Sequence, residues 1–168
     1  KRIKVLSLFF IDKVDNYLNG GILQKFFDEE FNNCKNEYDD FKNLEPENIR
    51  NGYFSKMKTD KSMKNDSEAF NLIMKDKEKL LSFSEDTSFI FSHSALREGW
   101  DNPNVFNICT LNQSISNIKK RQEIGRGLRL PVNQNGEQLT DKQYELTVIT
   151  NENYEEYVKT LQDEYVDD

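Results

Sequence analysis

Residues 88–111 read Ser88-Phe89-Ile90-Phe91-Ser92-His93-Ser94-Ala95-Leu96-Arg97-Glu98-Gly99-Trp100-Asp101-Asn102-Pro103-Asn104-Val105-Phe106-Asn107-Ile108-Cys109-Thr110-Leu111. Two apolar runs, 88–92 and 105–111, flank a cluster of Gly, Asp, Asn and Pro, residues that favour turns. Runs of this length read as strands.

The flanking sequence changes period. On the N-terminal side, residues 66–81 predict a helix whose buried stripe is Phe70, Ile73, Met74 and Leu80 or Leu81. On the C-terminal side, Ser116 caps a basic helix that ends near Gly125 or Gly127. Further out, Ile3–Ile11 is a nearly continuous apolar strand, and Gly20-Gly21 opens a helix carrying Ile22, Leu23, Phe26, Phe27 and Phe31. Residues 146–150 form a last strand, followed by an acidic helix with Tyr154, Tyr157, Val158 and Leu161. Strands alternating with helices predict an α/β domain with a mostly parallel sheet flanked by helices. Residues 32–66 are polar, broken by Pro46 and interrupted by a short island at 52–55, and read as a variable loop or insertion.

The chain of 168 residues suits one domain spanning 1–168, and 12 Phe with 7 Tyr supply a core that a disordered polyelectrolyte lacks. The first residue is not Met and a strand begins almost at once, so the chain reads as a piece of a longer protein. The basic start is followed by too short an apolar run for a signal peptide, and no run approaches the roughly 18 apolar residues of a membrane span. Two cysteines cannot form a disulfide framework, and Cys109 reads as a reduced core residue, so a cytoplasmic protein is expected.

The net charge of −7 is concentrated in residues 152–168, where seven acids meet one lysine. Between Ser116 and Pro131 five basic residues stand against one acid. Overall acidity therefore does not exclude a local anion site.

In parallel sheets, functional groups collect in loops that follow the carboxyl ends of strands. Residues 92–104 and 116–129 begin there. Turn propensity alone accounts for much of the first, although not for its Ser, Arg and Asp groups beside the sole Trp. The second, through Gln122-Glu123-Ile124-Gly125-Arg126-Gly127-Leu128-Arg129, is either a basic helix stopped by a glycine or a pair of arginines converging on one anion. Guanidinium geometry suits phosphate oxygens, and neighbouring glycines allow close backbone approach.

Several chemistries have no footing. The chain has no Gly-x-x-x-x-Gly-Lys-Ser/Thr loop and no Asp-Glu pair in a Walker B strand setting. Gly125-x-Gly127 lacks the third glycine of a dinucleotide fingerprint. His93 is the one histidine, so no His-based metal site or triad arises. Asp40-Phe41-Lys42 is a weak nuclease string in an acid-rich loop, and Asp28-Glu29-Glu30 and the acidic tail read as solvated faces. No metal ligands are expected.

Taken together, a Gly-x-Asp turn and, about 25 residues later, Gln-x-x-Gly-Arg-x-x-Arg resemble motifs V and VI on the second RecA-like domain of superfamily-two helicases. The strings KVLSLFFIDKVDNYL (4–18), NGYFS (51–55), FIFSHSALREGWDNPNVFNICTL (89–111) and RQEIGRGLRLPVNQNG (121–136) more specifically resemble the restriction (Res) subunit of type III restriction–modification enzymes.

That resemblance implies a RecA-like motor domain that works opposite a first, P-loop-bearing RecA-like domain, which would hold most of the ATP and Mg2+. No cofactor is expected to bind this fragment alone. Arg129 would be the arginine finger, Arg126 a second phosphate contact, and Gln122 and Gly125 part of the same motif. Gly99 and Asp101 match motif V, with Asp101 reaching the ribose or orienting Arg126 and Gln122. The hydroxyl of Ser92 or Ser94, where the usual threonine is absent, would touch the DNA backbone, with Arg97 beside it. Asp12, Lys13 or the 53–55 island could also approach a strand.

The implied partners are double-stranded DNA, the nuclease domain of the same chain and a modification methyltransferase subunit, with no membrane. The fragment itself should neither hydrolyse ATP nor cut DNA. The rivals are another superfamily-two DNA or RNA translocase and, in a different class, a non-catalytic binding module whose basic helix docks on an acidic partner.

Overall fold

The computed structural model describes residues 3–54, 68–93, 96, 100–112, 117–140, 143–150, 157–159 and 162–163. Five strands, β1 (Leu6–Phe10), β2 (Arg50–Tyr53), β3 (Phe89–Ser92), β4 (Val105–Thr110) and β5 (Thr147–Thr150), form one sheet in the order β2-β3-β1-β4-β5. Every neighbouring pair is parallel. The described helices are α1 (Ile22–Cys34), α2 (Pro46–Ile49), α3 (Lys77–Leu81) and α4 (Asn117–Ile124). This is the expected α/β arrangement, and it is RecA-like.

The central strand explains the nearly continuous apolar run. Leu6, Leu8 and Phe10 point to one face, where Ile90, Val105 and Ile108 join Ile73, Leu80, Leu96 and Trp100 in the larger core. Phe9 points to the other face and packs with Phe27, Phe89 and Phe91 beneath α1. A strand with layers on both sides has no position left for a polar residue on solvent. Fully burying each such side chain stabilises the fold by about 1.5–3 kcal/mol.

Within the region read as a variable loop or insertion, 32–66, residues 55–66 lie outside the described residues, and the described part carries α2 and the edge strand β2, which pairs with β3 from Arg50↔Phe89 to Tyr53↔Ser92. The strand is short and polar because it sits at the sheet edge. Gly52 is required there, since a Cβ would lie 2.6 Å from the Tyr17 ring.

Of the helix expected over 66–81, residues 66–67 lie outside the described residues, and the rest is broken. Residues 68–70 are helical, Asn71–Lys75 is a π-helical turn, and Asp76 at φ −92°, ψ 56° separates it from α3. The Asp76 N–H donates to the Asn71 carbonyl at 2.8 Å, the wide closure of a π turn. The anticipated stripe survives in part, with Ile73 and Leu80 fully buried.

No helix among the described residues is long and apolar enough to cross a membrane. Cys109 is buried and free, and burial pushes its thiol pKa up, in keeping with an inert core residue.

Candidate functional site

The connection from β3 to β4 must return along the sheet because the two strands are parallel to β1, which lies between them. Its described residues Leu96 and Trp100 are buried in the larger core. The Trp100 indole N–H donates at 2.7 Å to the carbonyl of Ile73, inside the π-helical turn. That bond satisfies the polar edge of a buried ring and ties the connection to the segment before α3.

Arg126 ties the same connection to the turn that ends α4. Its Nη1 donates to the Trp100 carbonyl at 2.7 Å, its Nη2 donates to the Leu96 carbonyl, and its guanidinium lies 5.8 Å from the Trp100 ring centroid. Burial lowers its pKa, opposed by the charge of Glu123 and assisted by that of Arg129. Its Nε is buried without a hydrogen-bond partner. Both Nη groups are thus engaged within the domain.

Arg129 is placed differently. Its side chain is nearly half exposed, and its Nη1 donates to Asp101 Oδ2 at 3.2 Å. Oδ1 of Asp101 accepts a hydrogen bond from Lys77. The Lys77 hydrogen bond is the main reason the Asp101 carboxyl titrates below the ordinary aspartate range; partial burial opposes the shift, and the charges of Lys77 and Arg129 add to it. The family resemblance implies that Asp101 reaches the ribose or orients Arg126 and Gln122. The structure links it to Arg129 and Lys77. Lys77 carries no sequence signal that separates it from Lys75 and Lys79 in the same charged run.

The glycines of this turn have distinct reasons. At Gly127 a Cβ would fall 2.3 Å from Leu146 Cδ1, so the close approach is to the residue before β5. At Gly125 a Cβ would meet the Arg121 carbonyl at 3.1 Å, and its own N–H donates to that carbonyl at 2.9 Å. Gln122 is exposed on α4. The helix is not a uniformly solvated basic rod: Lys120 is buried, with its Nζ 5.6 Å from the Tyr157 ring centroid, and Glu123 is buried where it accepts from Asn112.

Other candidates resolve unevenly. Ser92 is buried at the end of β3, its hydroxyl has no hydrogen-bond partner, and its carbonyl accepts from the Ile11 N–H at 2.9 Å. Ser94, Arg97, Gly99 and Ser55 lie outside the described residues. Asp12 accepts from the Lys13 N–H and from Asn16 Nδ2, both at 2.8 Å, in a local turn. Phe54 is buried in the smaller core, and Tyr53 is half-buried. Lys42 pairs with Asp39 at 2.9 Å on the surface.

The sheet and its helices define an α/β domain of the RecA-like type. Comparison with known sequences narrows the class. The chain is 47% identical over 161 residues to the type III restriction–modification enzyme EcoP15I Res subunit of Escherichia coli. It is 45% identical to the EcoPI Res subunit of Escherichia phage P1 and 37% identical to the StyLTI Res subunit of Salmonella typhimurium. These matches cover 85–86% of the chain and 16–17% of each relative. The chain is therefore homologous to a segment of the Res subunits of type III restriction–modification enzymes. No protein-family profile matches it.

Proposed function

We propose that this chain is the second motor domain of a type III restriction endonuclease, presenting Arg129 across a cleft to ATP held by a first motor domain. The observation that carries this reading is the exposed guanidinium of Arg129, tethered through a single donor to Asp101 of the Gly-x-Asp loop. A half-exposed arginine with its other donors open among the described residues fits a phosphate that arrives from outside the domain.

In such a motor, ATP supplies the phosphoryl group whose transfer to water drives movement of the two domains along DNA. Arg129 supplies positive charge where negative charge develops. Asp101 holds Arg129 at the domain surface, and Arg126 fixes the loop that carries Asp101 by binding the carbonyls of Leu96 and Trp100. Gln122, on α4, and Gly125, in the turn that ends it, belong to the same motif. Ser94, Arg97 and the region around Ser92 contact the DNA backbone. A nuclease elsewhere in the full-length chain cleaves, and a methyltransferase subunit completes the enzyme.

The test is ATP turnover by the full-length subunit with its methyltransferase and DNA, comparing wild type with Arg129→Ala. An arginine finger is worth about 10³–10⁵ in rate, so a loss of that order with ATP binding retained is expected. Unchanged turnover would reduce the α4 turn to an ordinary helix end and remove the motor reading.

A further inference from the structure

We propose that Lys77 is a positioning residue for Arg129, acting through the Asp101 carboxylate that the two cations share. This rests on Arg129 being the residue that meets ATP, and it adds a third residue from a different part of the fold.

The geometry is specific. Asp101 presents one oxygen to each cation: Oδ1 to Lys77 Nζ and Oδ2 to Arg129 Nη1. Lys77 is the first residue of α3, directly after the break at Asp76. A π turn carries one residue more per turn than an α-helix, and so rotates the side chains that follow it. Of the lysines in this run, Lys75 lies 5.3 Å from the Phe70 ring centroid and Lys79 is exposed on α3, while Lys77 meets the carboxylate. The turn that aims Lys77 is the one whose Ile73 carbonyl accepts from Trp100, the residue next to Asp101. Donor and acceptor are thereby fixed to one another through the core.

The consequence concerns how firmly Arg129 is held. To reach a phosphate on another domain, Arg129 must weaken its bond to Asp101. With Lys77 present, the carboxylate keeps a cation when Arg129 moves away. Without it, the full carboxylate charge falls on Arg129 and holds it back. All three side chains are partly exposed, so the effect is that of a surface ion pair and not of a buried one. It falls on the step in which Arg129 meets developing charge, and therefore on kcat and not on KM for ATP.

The experiment measures kcat and KM for ATP in the full-length subunit with methyltransferase and DNA. Lys77→Met is expected to lower kcat about two- to fivefold with KM unchanged, the range an exposed pair supplies. Lys77→Arg, which keeps the charge, should restore the wild-type value. In an Asp101→Asn background, Lys77→Met should have no further effect, because its route is gone. A wild-type kcat for Lys77→Met, a loss confined to KM, or an equal loss in the Asp101→Asn background each overturns the proposal. Arg129→Ala is run alongside: if it too leaves turnover unchanged, the motor reading itself fails, whereas its collapse beside an unaffected Lys77→Met removes only the role of Lys77.

Discussion

Arg50 leaves 9% of its side chain exposed, whereas Arg129 leaves 46%. Arg50 is held by a two-pronged pair to Asp28, Nε–Oδ1 at 2.5 Å and Nη2–Oδ2 at 2.8 Å, and it lies 5.7 Å from the Tyr17 ring centroid. Such a fork fixes both direction and distance, which suits joining α1 to the edge strand β2. Asp28→Ala would leave a shielded guanidinium without its counter-charge. The expected cost is about 2 kcal/mol or somewhat more, below the roughly 3–5 kcal/mol of a fully buried pair because Asp28 itself is one-third exposed. Urea unfolding of the variant against wild type measures it, and a change under about 0.5 kcal/mol would show that the pair is an ordinary surface contact. Nothing in Asp28-Glu29-Glu30 marks the first acid as different, since its partner is 22 residues away in sequence. The same holds for Lys77 and Asp101, 24 residues apart. Arginines at fixed spacing in Gly-Arg-x-x-Arg were legible as candidates, but which of the two is engaged inward depends on carbonyls that only the folded connection brings near.

Elements were legible where one force dominates. β1, β3 and β4 are mostly apolar, and α1 carries its aromatic stripe at helical spacing, so hydrophobic period alone finds them. β2 reads Arg50-Asn51-Gly52-Tyr53 and owes its place to the strand beside it, to the Asp28 pair and to the flat ring of Tyr17 over Gly52. The π-helical turn is likewise tied to a distant part of the chain, where Trp100 donates to the Ile73 carbonyl. A comparable dependence links the end of α4 to the start of β5. Gly127→Ala drives a Cβ into Leu146, which packs with Ile124 and Val148, so Leu146 must leave its place. Overpacking of this kind costs about 1–3 kcal/mol. Leu146→Ala removes the obstacle, so the double variant should be more stable than the sum of the two single losses predicts, by at least about 0.5 kcal/mol. Thermal or urea unfolding of the four proteins measures the coupling, and strict additivity would show that the turn and β5 are not in contact.

Across the whole molecule, the basic turn and the Gly-x-Asp loop converge on one surface although the chain carries a net charge of −7. The convergence follows from sheet order: β3 and β4 lie on either side of β1, so the connection between them passes over the core and meets both the segment before α3 and the end of α4. On the proposed motor reading, what this surface offers is one side of a nucleotide site. It has a cation to place against a phosphate, yet the sequence holds no Gly-x-x-x-x-Gly-Lys-Ser/Thr loop to cradle the β- and γ-phosphates. A finger stabilises charge on a phosphoryl group that something else must bind and orient; alone it has no bound ground state from which to lower a barrier. The chain of residues 1–168 by itself should therefore release phosphate from ATP and Mg2+ no faster than buffer, with or without DNA, in a continuous phosphate assay. Turnover above that background, lost on Arg129→Ala, would mean that a complete site assembles within this chain and that the division of labour between two motor domains is wrong. Background turnover here, with a collapse of the full-length enzyme on the same substitution, would be the signature of a residue whose chemistry lies in the domain it faces.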